Sequence, residues 1–252
     1  MNTLWKTHAK NFIISLGLYA ILFVVLLVMQ EYAHFDNLLR FGDVDFLVGI
    51  PASIFGVAYI LTIRDPQNYT GFYSGIIMSL LLAAQFYFQG QYDSTILYDV
   101  IFILFQIMSI ITWKRSSKQK ESTDDAFKPA FLEWKPMILA NLCFLLITVG
   151  DYFLATYWFN PDGAGMINVL NALLISSSVL ANYLLIFKKT DSWIYWLVYS
   201  AAGIVLFALV HNVFSIVLFI FFLIINGSAA ITWFKITEKE NMGWLKFLSK
   251  SK

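Results

Sequence analysis

The sequence predicts an all-α polytopic membrane protein with about eight transmembrane helices: an N-terminal helix, then two parallel triple-helix units on either side of one linker helix. Three observations predict it. Of the 252 residues, 59% are hydrophobic and 13% charged, against roughly 25% charged in a soluble domain. Eight apolar segments of near-spanning length, about 20 residues, lie at 11–30, 44–63, 69–89, 95–113, 136–158, 166–187, 193–210 and 214–234. Lysine and arginine cluster on alternate loops, as the positive-inside rule requires of a chain that crosses eight times.

The first segment follows Lys6 and Lys10 and lacks a small-residue cleavage site, so it reads as a retained helix rather than a signal peptide. The second contains VGIPASIFG, where Gly49, Pro51 and Gly56 loosen the helix; neighbouring helices can satisfy the freed carbonyl. The third follows the turn in QNYTG and carries Gln85. The fourth carries Asp99 and Gln106 and ends at Trp113, just before KRSSKQK. Residues 114–135 form the one long polar loop, read as a solvated cytoplasmic connector with no function of its own. The fifth, with Asp151, is the linker helix; the sixth, with Asn168, Asn171 and Asn182, runs into Lys188 and Lys189. The seventh opens on DSWIYW, and the eighth carries Asn226 and Trp233 before Lys235 and Lys239.

The opposite loops carry Asp36, Asp43, Asp93, Asp162 or His211, with Arg40 the basic exception. Both termini are therefore expected on the cytoplasmic side. Segments two to four and six to eight each start outside and end inside, with a single helix between them. An odd linker makes the two triplets parallel, related by an axis along the membrane normal as in the SWEET sugar transporters. The expected division is 1–43 (N-terminal helix and outer loop), 44–113 (first triplet), 114–165 (cytoplasmic loop and linker helix), 166–235 (second triplet) and 236–252 (cytoplasmic tail).

Several function classes drop out. A net charge of +1 gives nucleic acid no footprint. The single Cys143 allows no intrachain disulfide, and His8, His34 and His211 lack metal-ligand spacing. There is no phosphate-binding loop and no dinucleotide fingerprint, so no cofactor is implied. No paired acids and no Cys–His arrangement point to an enzyme. The expected partners are the lipid bilayer and a small molecule.

The candidate site rests on an echo. SIITWKR ends the fourth segment and AAITWFK the eighth, and seven residues before each tryptophan stands a carboxamide, Gln106 before Trp113 and Asn226 before Trp233. If the tryptophans sit in the interfacial aromatic belt, each amide lies about 10 Å inward. A lone amide in lipid more often glues helices together; a matched pair points to a substrate site between the triplets. Trp193 and Trp196 are three apart and share a helix face with Ser200. In the first triplet Asn68 stands opposite Ser192, Tyr69 opposite Trp193 and Phe72 opposite Trp196. Aromatic faces hold flat rings and attract cations. Asp99, seven residues before Gln106 on the same face, is the acidic candidate, at about 7 Å depth.

The NY of Asn68 and Tyr69, the WxxW of Trp193 and Trp196, Gln106 with its IxxxxxW, and FxxLIINGS around Asn226 together resemble the PnuC family of vitamin transporters over roughly 44–235. The resemblance implies a three-plus-one-plus-three fold in a bacterial inner membrane. It also implies import of nicotinamide riboside by facilitated diffusion, trapped by a cytoplasmic kinase; riboflavin, thiamine or, within the architecture, a sugar are the alternatives. A homo-oligomer such as a trimer is compatible with it. The substrate-binding residues it implies are Trp196, Asn226, Gln106, Trp193, Phe72 and Asn68, with Ser200 and Asp99 beside them. Ser200 departs from the family pattern WxxWxxxN, which has asparagine there. No cluster of membrane Arg or Lys stands ready to clamp a phosphate, which fits a dephosphorylated substrate.

Overall fold

The computed structural model describes residues 2–32, 45–88, 94–119, 128–159, 165–210 and 213–238. They form eight α-helices: α1 (Asn2–Tyr32), α2 (Ile50–Ile63), α3 (Gly71–Phe88), α4 (Ser94–Gln119), α5 (Trp134–Leu154), α6 (Gly165–Ile186), α7 (Ser192–Leu209) and α8 (Val213–Glu238). A π-helical turn, Asp45–Gly49, leads into α2, and another, Ala155–Phe159, extends α5. Each expected segment is a helix. The aspartates of the opposite loops (Asp36, Asp43, Asp93, Asp162), His211 and the tail beyond 238 lie outside the described residues. The chain forms two compact units, Met1–Ile110 and Ile111–Lys252.

In the first unit α1 packs on α2, and α2 on α3. α1 begins nine residues before the expected segment, because its first turns have polar partners. Asn11 Nδ2 donates to Leu61 O and Thr62 Oγ1, both at 3.2 Å, and Ser15 Oγ donates to Ile54 O at 2.6 Å. Tyr19, Leu22 and Leu26 continue that stripe as buried residues at helical spacing. Pro51 lies in the first turn of α2, just after the π turn, where its missing N–H leaves no gap. The expected loosening is thus confined to the helix start. A Cβ on Gly49 would lie 3.1 Å from Gln85 Oε1, so close packing accounts for that glycine.

In the second unit α5 packs on α6, α6 on α7 and α7 on α8. Thr148 Oγ1 donates to Ser176 Oγ at 2.7 Å and Tyr195 OH to Asn141 Oδ1 at 3.1 Å, tying α5 to α6 and α7. Asn168 Nδ2 reaches Thr156 Oγ1 at 3.3 Å, so this asparagine of α6 serves the linker helix. The other side of α5, including Leu139, Leu142 and Leu146, is exposed, as a lipid-facing helix requires.

Three sequence readings change at the lysine-rich end of this unit. Trp113 and Trp233 are fully buried rather than spread along an interfacial belt. Trp113 Nε1 donates to Leu185 O at 2.9 Å, and the Trp233 ring lies 5.9 Å from Trp113 and 5.6 Å from Trp193. Lys188 is not a solvated loop charge: it is buried, 4.8 Å above the Trp113 ring, with Nζ 3.4 Å from Ser116 Oγ. It ends α6 in left-handed backbone at φ 50. There Lys188 N–H bonds Leu185 O and Lys189 N–H bonds Leu184 O, the two bonds of a Schellman cap. A non-glycine residue in that conformation costs roughly 1–2 kcal/mol; the cation–π contact offsets a comparable amount.

The loop 114–135 also differs from a free connector. Its residues 120–127 are outside the described set, but Ala130 forms a parallel bridge with Lys189, and Phe131 and Leu132 are buried. Leu132 N–H donates to the buried carboxylate of Asp191 at 2.7 Å, and the Phe131 ring lies 5.0 Å from Phe234. The hydrophobic pair FL inside a charged stretch is what docks it.

A cluster and a belt respond differently to truncation. Trp233→Ala should lower stability by about 3–5 kcal/mol, as for other buried large-to-small changes. Trp134→Ala, at a residue 56% exposed, should shift it by well under that. The midpoint of thermal unfolding of the detergent-purified protein checks both.

Candidate functional site

In the second unit the candidate residues meet at the α7–α8 contact. Asn226 is 1% exposed, and its Nδ2 donates to Ser200 Oγ at 3.0 Å. The Ser200 hydroxyl donates one turn back to Trp196 O at 2.9 Å. That bond uses the hydroxyl proton, so the oxygen can only accept from Asn226. In this arrangement Asn226 Nδ2 faces Ser200 and Oδ1 is turned away. Among the described residues Asn226 Oδ1 is buried without a hydrogen-bond partner, as are Trp193 Nε1, Trp196 Nε1, Tyr19 OH, Ser79 Oγ and Ser192 Oγ. A buried unpaired polar atom is destabilising by about 1–3 kcal/mol. An unpaired acceptor on α8 and an unpaired indole donor on α7 make this helix contact a candidate for a ligand.

Aromatic rings flank it. Trp196 meets Tyr199 edge-on at 5.4 Å, and Tyr199 lies 5.3 Å from Phe219. A Cβ on Gly203 would run into the Phe219 ring, so glycine there lets α8 approach α7 closely. Trp193, paired in the sequence with Trp196, is instead fully buried against Trp233 and belongs to the tryptophan cluster. Tyr199 was not singled out in the sequence, although WxxWxxY continues the three-residue spacing of Trp193 and Trp196.

The first unit holds a second amide–aromatic set. Gln106 of α4 is 1% exposed and its side chain hydrogen-bonds the hydroxyl of Tyr59 on α2. Phe72 of α3 lies 5.8 Å from the Tyr59 ring. A Cβ on Gly75 would stand 2.8 Å from Gln106 Cδ, so this glycine makes room for the amide. Tyr59 and Gly75 escaped the sequence reading; a tyrosine mid-span, with a hydroxyl to satisfy, was the available signal.

Asn68 is placed elsewhere. Its Oδ1 accepts from Thr70 N at 3.1 Å and Thr70 Oγ1 at 2.6 Å, an Asx turn that starts α3. Its Nδ2 donates to Leu4 O at 3.2 Å, fastening α1. In this structure its oxygen and one amide proton serve the fold. Nearby, His8 reaches Thr62 Oγ1 at 3.1 Å and Ser74 Oγ at 3.2 Å through its two ring nitrogens, joining α1 to α2 and α3. Asp99 lies in α4, its side chain outside the described residues. Among the described residues no three His, Cys, Asp or Glu side chains come together to hold a metal ion.

Comparison with known proteins adds two findings. Residues 47–235 match the model of a family described as nicotinamide mononucleotide transporter. The fold matches the crystal structure of the vitamin B3 transporter PnuC with a TM-score of 0.65, at 15% sequence identity, over 95% of this chain and 99% of that one. At that identity the likeness carries the fold. No curated protein sequence matches the chain.

Two asparagines should separate by stability alone. Asn68→Ala removes bonds from the fold and should lower stability by about 1–2 kcal/mol. Asn226→Leu removes a buried unpaired oxygen and should leave stability unchanged or raised, as at sites that trade stability for function. Thermal unfolding of the two purified variants measures the contrast.

Proposed function

We propose that this chain, which belongs to the nicotinamide mononucleotide transporter family, imports nicotinamide riboside by facilitated diffusion across a bacterial inner membrane. The observation that carries the reading is the Asn226 amide at the α7–α8 contact, bonded to Ser200 with a buried unpaired oxygen, together with the unpaired indole N–H of Trp196 on α7. Nicotinamide riboside offers a flat cationic ring, a carboxamide and ribose hydroxyls. The Trp196–Tyr199 corner suits the ring, and the oxygen and the N–H suit the amide or hydroxyls. Gln106, held by Tyr59 beside Phe72, supplies an amide and aromatic faces in the first unit.

The absent phosphate follows from charge. Among the described residues the buried charged side chains are Asp151, Lys188 and Asp191. Lys188, the one cation, is engaged with the Trp113 ring and Ser116. A nucleotide would have to leave its phosphate without a cationic partner in the membrane, which is costly. A nucleoside taken up passively and phosphorylated by a cytoplasmic kinase would be trapped inside.

In this reading residues 44–113 and 166–235 act as parallel repeats of the SWEET kind, which rock to expose the substrate to each side in turn. Residues 1–43 are an added helix, 114–165 carry the linker and 236–252 the tail. Both termini lie in the cytoplasm in this reading, which the basic loops support.

Calorimetric titration of the purified protein with nicotinamide riboside, nicotinamide mononucleotide, riboflavin and thiamine tests the substrate. Nicotinamide riboside should bind and the mononucleotide should not; tight binding of riboflavin or thiamine in its place would overturn the assignment. Asn226→Leu should weaken nicotinamide riboside binding by about 1–3 kcal/mol, and uptake into proteoliposomes should fall with it.

A further inference from the structure

We infer that residues 128–132 are a latch on the α6–α7 turn, one that must lift for the second triplet to rock. The inference rests on the transport reading above and adds to it the contact that holds the lysine-rich end shut. The segment crosses the turn just before α5 begins. Ala130 N–H bonds Lys188 O at 3.3 Å, and Thr190 N–H bonds Ala130 O at 3.0 Å, the two bonds of a parallel bridge. Leu132 N–H donates to Asp191 Oδ2 at 2.7 Å. Phe131 is buried, with its ring 5.0 Å from Phe234 of α8. Thr190 Oγ1 and Thr237 Oγ1, hydrogen-bonded at 2.7 Å, tie the same turn to α8. One short segment thus fastens the lead-in of α5 to the α6–α7 turn and to the end of α8.

Three features make this a contact built to open rather than a fixed brace. Asp191 is not needed by its own helix. The first amides of α7, those of Ser192, Trp193 and Ile194, bond the carbonyls of Lys189, Thr190 and Asp191, and the Asp191 side chain makes no capping bond. Its buried carboxylate is given to the segment instead. Burying a carboxylate costs hydration, and lifting the segment returns it to water. That gain opposes the loss from exposing Phe131 and Leu132, so the docked and lifted states differ by a balance of opposing terms. Among the described residues the bridge is a single pair, Ala130 with Lys189, so no ladder of strand bonds resists lifting. Finally, the carbonyl that Ala130 bonds belongs to Lys188, the residue in left-handed backbone at φ 50. Strained backbone of this kind concentrates at switch regions.

The test fastens the latch and frees it again in the full-length protein. In a Cys143→Ser background, Ala130→Cys with Lys189→Cys puts a thiol on each side of the bridge. Both positions are partly exposed, so a short bis-methanethiosulfonate reagent can join them and dithiothreitol can release them. Uptake of nicotinamide riboside into proteoliposomes should fall at least tenfold on joining and return on reduction. The calorimetric affinity of the joined protein should stay within about twofold of the reduced one, because the latch acts on motion and not on the site. Each single-cysteine variant, treated alike, should keep its uptake. A merely structural segment would be indifferent to the added bond. Uptake unchanged by joining, or binding lost along with uptake, would overturn the latch and leave the transport reading standing. Failure of the wild type to take up nicotinamide riboside would overturn both. Should the pair not fold, Phe131→Cys with Phe234→Cys fastens the same segment to α8 and gives the same comparison.

Discussion

Every polar side chain inside a membrane-spanning helix must find a partner, because lipid offers none. Much of this chain meets that constraint within single helices. Thr62 returns its hydroxyl proton to Ala58 O, Ser176 to Ala172 O and Thr237 to Trp233 O, and Asn182 returns an amide proton to Ser178 O. These bonds make hydroxyl and amide groups tolerable without committing a neighbouring helix. Asn226 is handled differently: one end of its amide crosses to Ser200 on α7, and the other is left unsatisfied. Together with the unpaired Trp196 indole N–H, it makes the α7–α8 contact the candidate site.

The same constraint explains α1. Its first turns carry His8, Asn11 and Ser15, each bonded to α2 or α3, and Asn68 returns a bond to Leu4. An added helix in lipid gains little from hydrophobic packing, since acyl chains are as apolar as leucine; polar contacts between helices give it a register. Asn68 was read from the sequence as a ligand contact because a family motif includes it. The structure shows its oxygen starting α3 and one amide proton fastening α1.

What was legible in the sequence follows from which physics is local. Helix number and placement came through because hydropathy and loop charge are properties of contiguous segments. Gln106 and Asn226 stood out because an amide in an apolar run is a local anomaly. The direction in which the Asn226 amide points was not legible, because it depends on a serine on another helix and on where that serine spends its proton. Nor was the docking of Phe131 and Leu132 onto the α6–α7 turn, which needs a contact between residues some sixty positions apart. The tryptophans misled for the same reason: a Trp at a helix end suits both a belt and a buried cluster, and only the packing of Trp113, Trp193 and Trp233 distinguishes them.

A structure of the protein with nicotinamide riboside bound tests the central claim most directly. The account predicts a ligand N–H or O–H donor within about 3.2 Å of Asn226 Oδ1, Nδ2 still on Ser200, and the pyridinium ring against Trp196. A ligand seated away from α7 and α8, with Asn226 Oδ1 still unpaired, would contradict it.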